Sequence, residues 1–207
     1  MAFNINSFLS QGLIGGGVRP SLFDVVIIFP ALASNNNSAA SVTSSPTGRL
    51  QFTCSATSIP EATVGSIPVS YFGRKIKLAG DRVYQDWTVS IMNDEDYVVR
   101  DALESWSFLI NSPVGNIRST SDISQFIAGS NNNSYKQDAY ITSYKKDGSI
   151  LATYNMIGIY PTTVQAMGVD WSTNDQIQQY QVQFAYDYWM PANTPVQSNS
   201  YQASQIV

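Results

Sequence analysis

Hydrophobic and polar positions alternate along this chain far more often than they recur at helical spacing. The sharpest case is QYQVQFAYDYW at 179–189, where Tyr180, Val182, Phe184, Tyr186 and Tyr188 fall on one face and Gln179, Gln181, Gln183, Ala185 and Asp187 on the other. A period of two predicts a strand with one buried and one wet face, here over 177–189. VYQDWTVSIM at 83–92 sets Trp87, Val89 and Ile91 against Asp86, Thr88 and Ser90 in the same way. SLFDVVIIF at 21–29 predicts a first strand, stopped by Pro30. RLQFTCSA at 49–56 predicts another, with Leu50, Phe52, Cys54 and Ala56 opposite Gln51, Thr53 and Ser55. Residues 67–78 read as one extended segment between the Pro60 and Gly65 turns and Ala79-Gly80-Asp81. DAYITSYK and SILATYNMIGIY flank Lys146-Asp147-Gly148, a strong hairpin signal, and 161–176 is expected to be loop.

The period changes once. In NDEDYVVRDALESWSFLIN the apolar residues Val98, Val99, Ala102, Leu103, Trp106, Leu109 and Ile110 recur at three- and four-residue steps, which predicts an amphipathic helix over 94–110. Asn93 is the expected N-cap, Asp94, Glu95 and Asp96 suit the positive end of its dipole, and Asn111 with Pro113 should end it. Strands in sequence with one helix give a mainly β fold: an antiparallel β-sandwich or barrel-like domain of about seven strands with one flanking α-helix. The expected organisation is a flexible arm at 1–18, a single domain at 19–190 with long loops at 34–48 and 114–136, and a polar tail at 191–207.

Composition narrows the functions. The chain of 207 residues carries no histidine and one cysteine, Cys54. The usual general base, the usual metal ligand, thiolate metal sites and an intrachain disulfide are therefore missing. A net charge of −4 with scattered cations gives no basic footprint for wrapping nucleic acid. The N-terminus lacks a basic region before an apolar core, so no signal peptide is expected. The longest apolar run, VVIIFPALA at 25–33, is too short to cross a bilayer.

Short motifs add little chemistry. GLIGGG at 12–17 follows no strand and lacks the Lys-Ser/Thr of a phosphate loop. Asp94-Glu95-Asp96 lacks the spacing and central glycine of a calcium loop. Asp81, Asp86, Asp170, Asp175 and Asp187 could supply a hydrolytic carboxylate pair, but no spacing brings two together. Tyr180, Tyr186, Tyr188 and Trp189 could stack sugars or bases, yet the in-phase tyrosines read as core. Asn36-Asn37-Ser38 and Asn132-Asn133-Ser134 match a glycosylation acceptor, with no secretory signal to give the match meaning.

One longer stretch is more specific. SIPVSYFGRKIKLAGDRVYQDWTVSIMNDEDYVVRDALESW at 66–106 resembles the tail tube proteins of T4-like contractile bacteriophages. The resemblance lies in Gly73-Arg74, Ala79-Gly80-Asp81-Arg82, Trp87-Thr88-Val89 and Asn93-Asp94, with RPSLFDVVIIFP at 19–30 and FAYDYW at 184–189 in agreement. It implies hexameric rings stacked into a hollow tube inside a contractile sheath, a fold shared with the type VI secretion tube. It implies no enzyme activity and no cofactor. The implied partners are other copies of the chain, the tail sheath protein, the baseplate and the tail terminator. Double-stranded DNA would pass through without specific binding. The implied location is the phage virion, after assembly in the host cytoplasm and without a membrane anchor. A related single-ring baseplate or tail-terminating protein is an alternative, and a carbohydrate-binding β domain a more distant one. On this expectation Gln51, Thr53, Ser55, Thr153 and Asn155 are candidates to face the lumen. Asn36, Asn37, Ser38, Gln179, Gln181 and Gln183 are candidates for an assembly surface.

Overall fold

The computed structural model of the chain describes residues 5, 8–12, 16–30, 45–116 and 135–192. Asn36, Asn37 and Ser38, most of the 34–48 loop, and residues 117–134 of the 114–136 segment lie outside them, as does the tail from 193. In chain order the elements of the domain are β1 (Phe23–Ile27), α1 (Pro46–Thr53), β2 (Cys54–Thr57), β3 (Ala62–Tyr71), β4 (Arg74–Tyr84), β5 (Trp87–Met92), α2 (Val98–Ile110), β6 (Gln137–Tyr144), β7 (Ile150–Val164), β8 (Gln179–Ala185) and β9 (Tyr188–Pro191).

The expected mainly β architecture is present. Seven strands form one antiparallel sheet in the order β1-β6-β7-β8-β5-β2, with β9 also on β7. β3 and β4 form a separate two-stranded sheet. The 15-residue β7 belongs to both halves of the main sheet: Ile150–Ile159 pairs with β6, and Tyr160–Val164 with β8. The two halves meet at Gly158, whose φ of +71° favours glycine, and a Cβ there would collide with the Asp187 carboxylate.

The core lies between the halves. Val25, Ile27, Ile141, Met156 and Ile159 come from one, and Trp87, Val89, Ile91, Tyr180, Val182 and Phe184 from the other. Helix α2 covers them with Leu103 and Trp106; the Trp106 ring stands 5.5 Å from Phe29 and 6.3 Å from Phe184. The Trp106 indole N–H donates to the Tyr135 carbonyl at 2.7 Å, so burial leaves no orphaned donor there. A buried side chain such as Phe184 contributes about 1.5–3 kcal/mol.

Five sequence expectations change. Residues 49–56 do not form a single strand: Pro46–Thr53 is helical, and β2 begins at Cys54. Ser45 caps this helix, its hydroxyl accepting from Gly48 N–H at 3.2 Å, and Pro46 sits in the first turn, where it lacks no hydrogen bond. Leu50 is buried on either period, whereas Phe52 is 78% exposed, as helical spacing requires. Residues 67–78 are not one extended segment but the middle of a hairpin that turns at Phe72-Gly73, with φ of +45° and +79°.

The second helix starts at Val98 rather than 94, with Tyr97 in place of Asn93 at the cap. Asn93 is held instead by Gln178, and Asp94 and Asp96 pair with Arg49 at 2.7 and 2.9 Å. The strand expected over 177–189 is broken. Asp187 N–H donates to the Ile157 carbonyl and its carboxylate pairs with Lys136, so Tyr188 starts β9 instead of continuing the core face. The expected hairpin around Asp147-Gly148 forms, with Asp147 accepting from Ser149 N–H and hydroxyl. The loop after β7 spans 165–178, since β7 reaches Val164.

Candidate functional site

Alternation in the main sheet produces two outward faces. On the β1-β6-β7 half, Asp24, Thr142 and Thr153 stand in register across the strands, as do Val26, Tyr140 and Asn155. The Thr142 and Thr153 hydroxyls are 3.4 Å apart, and Gln51 Nε2 donates to Asp24 Oδ2 at 2.7 Å. Three of the lumen candidates, Gln51, Thr153 and Asn155, are thus brought to one side of the molecule. Asn155 Oδ1 is buried there with no hydrogen-bond partner among the described residues. The Thr53 hydroxyl donates to the Arg49 carbonyl within α1.

On the β8-β5-β2 half, Gln179, Gln181 and Gln183 stand opposite Met92, Ser90 and Thr88. Ser55 and Thr57 hydroxyls donate to the Ser90 and Thr88 carbonyls, which places Ser55 with this second group. This register carries amides, hydroxyls and a thioether but no charge. A neutral wall of this kind offers no strong attraction to a polyanion. β1 and β2, at the two ends of the strand order, each pair on one side among the described residues. Open edges of this kind are templates for another chain.

The larger feature is the β3–β4 hairpin, which sequence reasoning missed because it was read as one segment. Its base is anchored: Tyr84 packs on Tyr186 at 5.9 Å, and the Tyr186 hydroxyl donates to the Glu61 carbonyl. Beyond the base both strands are exposed almost throughout. Directly opposed residues share a face, so Ile67/Leu78 and Val69/Ile76 make one apolar side, which Tyr71/Arg74 continues. Pro68/Lys77 and Ser70/Lys75 make the other side, which is cationic, with Arg82 opposite Val64 past a bulge. Four cations and one carboxylate give residues 62–84 a net charge of +3, leaving −7 on the rest of the chain. At the tip Tyr71 and Phe72 meet edge to face at 4.5 Å, and Phe72 is 90% exposed. The signal that could have revealed the hairpin was Phe72-Gly73 between two alternating runs.

At the far end of β5, the 165–178 loop builds a cavity of about 1030 Å³ lined by Met92, Val169, Trp171, Asp175, Ile177 and Gln178, among others. Trp171 is 99% exposed. The Asp170 carboxyl accepts from the Ser172 N–H and hydroxyl, both at 2.9 Å, and these bonds hold its pKa below the ordinary value. Asp170 and Asp175 give this loop a charge of −2.

Among the described residues no group of three or more His, Cys, Asp or Glu side chains could hold a metal ion. No helix among them is long and apolar enough to cross a membrane. Asp187 is engaged by Lys136 and Asp170 by Ser172.

Known proteins resemble the chain over most of its length. The family described as phage tail tube protein matches residues 18–192. The tail tube protein gp19 of Enterobacteria phage T4 is 34% identical over 176 residues, covering 84% of this chain and 92% of that protein. The tail tube protein of Serratia phage KSP90 is 23% identical over 189 residues, covering 88% and 93%. Among solved structures, a chain of the anti-feeding prophage baseplate superposes with a TM-score of 0.51 at 13% identity, covering 86% of this chain and 97% of that one, which is a likeness of fold.

Proposed function

The chain belongs to the phage tail tube protein family, and from that premise we propose that it is the structural subunit of the inner tube of a contractile tail, assembling as hexameric rings that stack. The observation that carries this reading is the β3–β4 hairpin. A monomer gains nothing from holding Ile67, Val69, Ile76 and Leu78 in water on a two-stranded sheet, which is marginal by itself. Burial against another copy would account for them, and the open edges of β1 and β2 suit closure of a sheet across subunits.

In this reading Thr153 and Asn155, with Gln51 joined through Asp24 and Thr142, are proposed to face the bore. Ser55 belongs with Gln179, Gln181 and Gln183 on a neutral wall between subunits or toward the sheath. Asn36, Asn37 and Ser38 are proposed to contact the next ring. A bore with little positive charge lets DNA slide. Baseplate, sheath and terminator are the proposed partners, and the function requires no catalytic group or cofactor.

Negative-stain microscopy of the purified chain at high concentration tests the proposal. Stacked hollow tubes are expected. Lone rings that never stack would favour the single-ring alternative, and a persistent monomer would sink both readings.

A further inference from the structure

The hairpin and the Trp171 loop lie at opposite ends of one strand. β4 runs directly into β5 at Trp87, whereas Met92, its last residue, lines the Trp171 cavity. Six residues of strand separate the two ends by about 20 Å. The two surfaces are also opposite in charge: +3 on residues 62–84, and −2 on 165–178 with no cation. Each presents exposed apolar groups, Tyr71 and Phe72 at the hairpin tip and Val169, Trp171 and Ile177 on the loop.

We propose that the hairpin tip of one copy seats in the cavity beside Trp171 of the next copy, with Arg74 and Lys75 meeting Asp170 and Asp175. The inference rests on the reading of the chain as a self-assembling tube subunit and names the surfaces that join its copies. The cavity of about 1030 Å³ is large enough for the aromatic pair. The indole face gives a cation a favourable seat beside the carboxylates. Donor and acceptor surfaces differ, so the contact is heterologous. Such a contact repeats head to tail until a ring closes or a filament extends. Both surfaces persist on every assembled copy, so each added subunit presents a fresh hairpin or a fresh cavity.

The test uses the full chain under conditions where the wild type assembles. Phe72→Ala and Trp171→Ala should each raise the concentration needed for assembly by at least about tenfold. Both side chains are almost fully exposed, so the melting temperature of the unassembled variants should stay unchanged. A charge exchange provides the second arm. Asp170→Arg with Asp175→Arg should block assembly, and adding Arg74→Glu with Lys75→Glu should restore it. In the third arm, chains carrying Ser70→Cys are mixed with chains carrying Gln176→Cys, and oxidation should give a disulfide-linked dimer that neither variant forms alone. Normal assembly of both alanine variants, or failure of the mixed chains to cross-link within assembled particles, overturns the inference while leaving the tube reading intact. A wild-type chain that stays monomeric overturns both.

Discussion

Tyr180 is the core position whose chemistry is least expected. Its ring is buried beneath Arg100, 5.1 Å from the ring centroid, yet its hydroxyl is buried without a hydrogen-bond partner among the described residues. Burial raises the phenol pKa above the ordinary 10, and the nearby Arg100 only partly opposes this. With the folded pKa raised, its contribution to stability is fully present below pH 10 and is lost as pH rises, because the unfolded chain ionises first. Tyr180→Phe should therefore leave Tm at neutral pH unchanged or slightly higher, since it removes an unpaired buried hydroxyl. It should also flatten the fall in Tm above about pH 10, read by circular dichroism. Cys54 offers a second residue-scale check. Burial lifts its thiol from 9.0 to about 11, so near pH 8 its thiolate fraction is about a hundredfold below that of a free thiol. A thiolate of higher pKa is the better nucleophile, so its reaction with a disulfide reagent should be slower by about tenfold in the folded chain and recover in denaturant. The single cysteine will therefore not confound the cross-linking of introduced thiols.

At the scale of elements, β7 carries the most structural responsibility. It holds both sheet halves, and the break between them depends on Gly158. Gly158→Ala should cost about 2–4 kcal/mol, from the left-handed backbone and the collision with Asp187, seen as a lowered urea midpoint. The same scale shows what the sequence made legible. Strands with an unbroken two-residue period and one buried face, β5 and β8, stand where the alternation put them. Two of the misplacements share a cause: local backbone chemistry outweighed a short hydrophobic pattern. Ser45 and Pro46 started a helix where four alternating residues suggested a strand, and Phe72-Gly73 reversed a run that looked continuous. Asp187 is drawn to Lys136, which lies 51 residues away in sequence, a pairing that no local pattern reveals. The site was less legible than the fold. The glutamine face was visible as a face, but the hairpin's two sides appear only once its register is known.

For the whole molecule, stability and assembly should be separable. The hairpin is exposed along both strands and contributes no residue to the buried core except through its anchored base at Tyr84. Replacing Ile67, Val69, Ile76 and Leu78 together with threonine should leave Tm within about 2 °C, as for surface changes away from the core. The same chain should fail to form tubes under the microscope. The division of charge, +3 on the hairpin against −7 on the rest, has a kinetic consequence as well. A molecule so polarised is turned by the field of its neighbour before the two touch, so productive encounters outnumber those expected from random orientation. Screening acts over about 8 Å at physiological salt, and it weakens this steering much more than it weakens a contact already dehydrated. Raising salt should thus slow tube elongation steeply while tubes already formed dissociate no faster, a difference that light scattering during growth and after dilution would show.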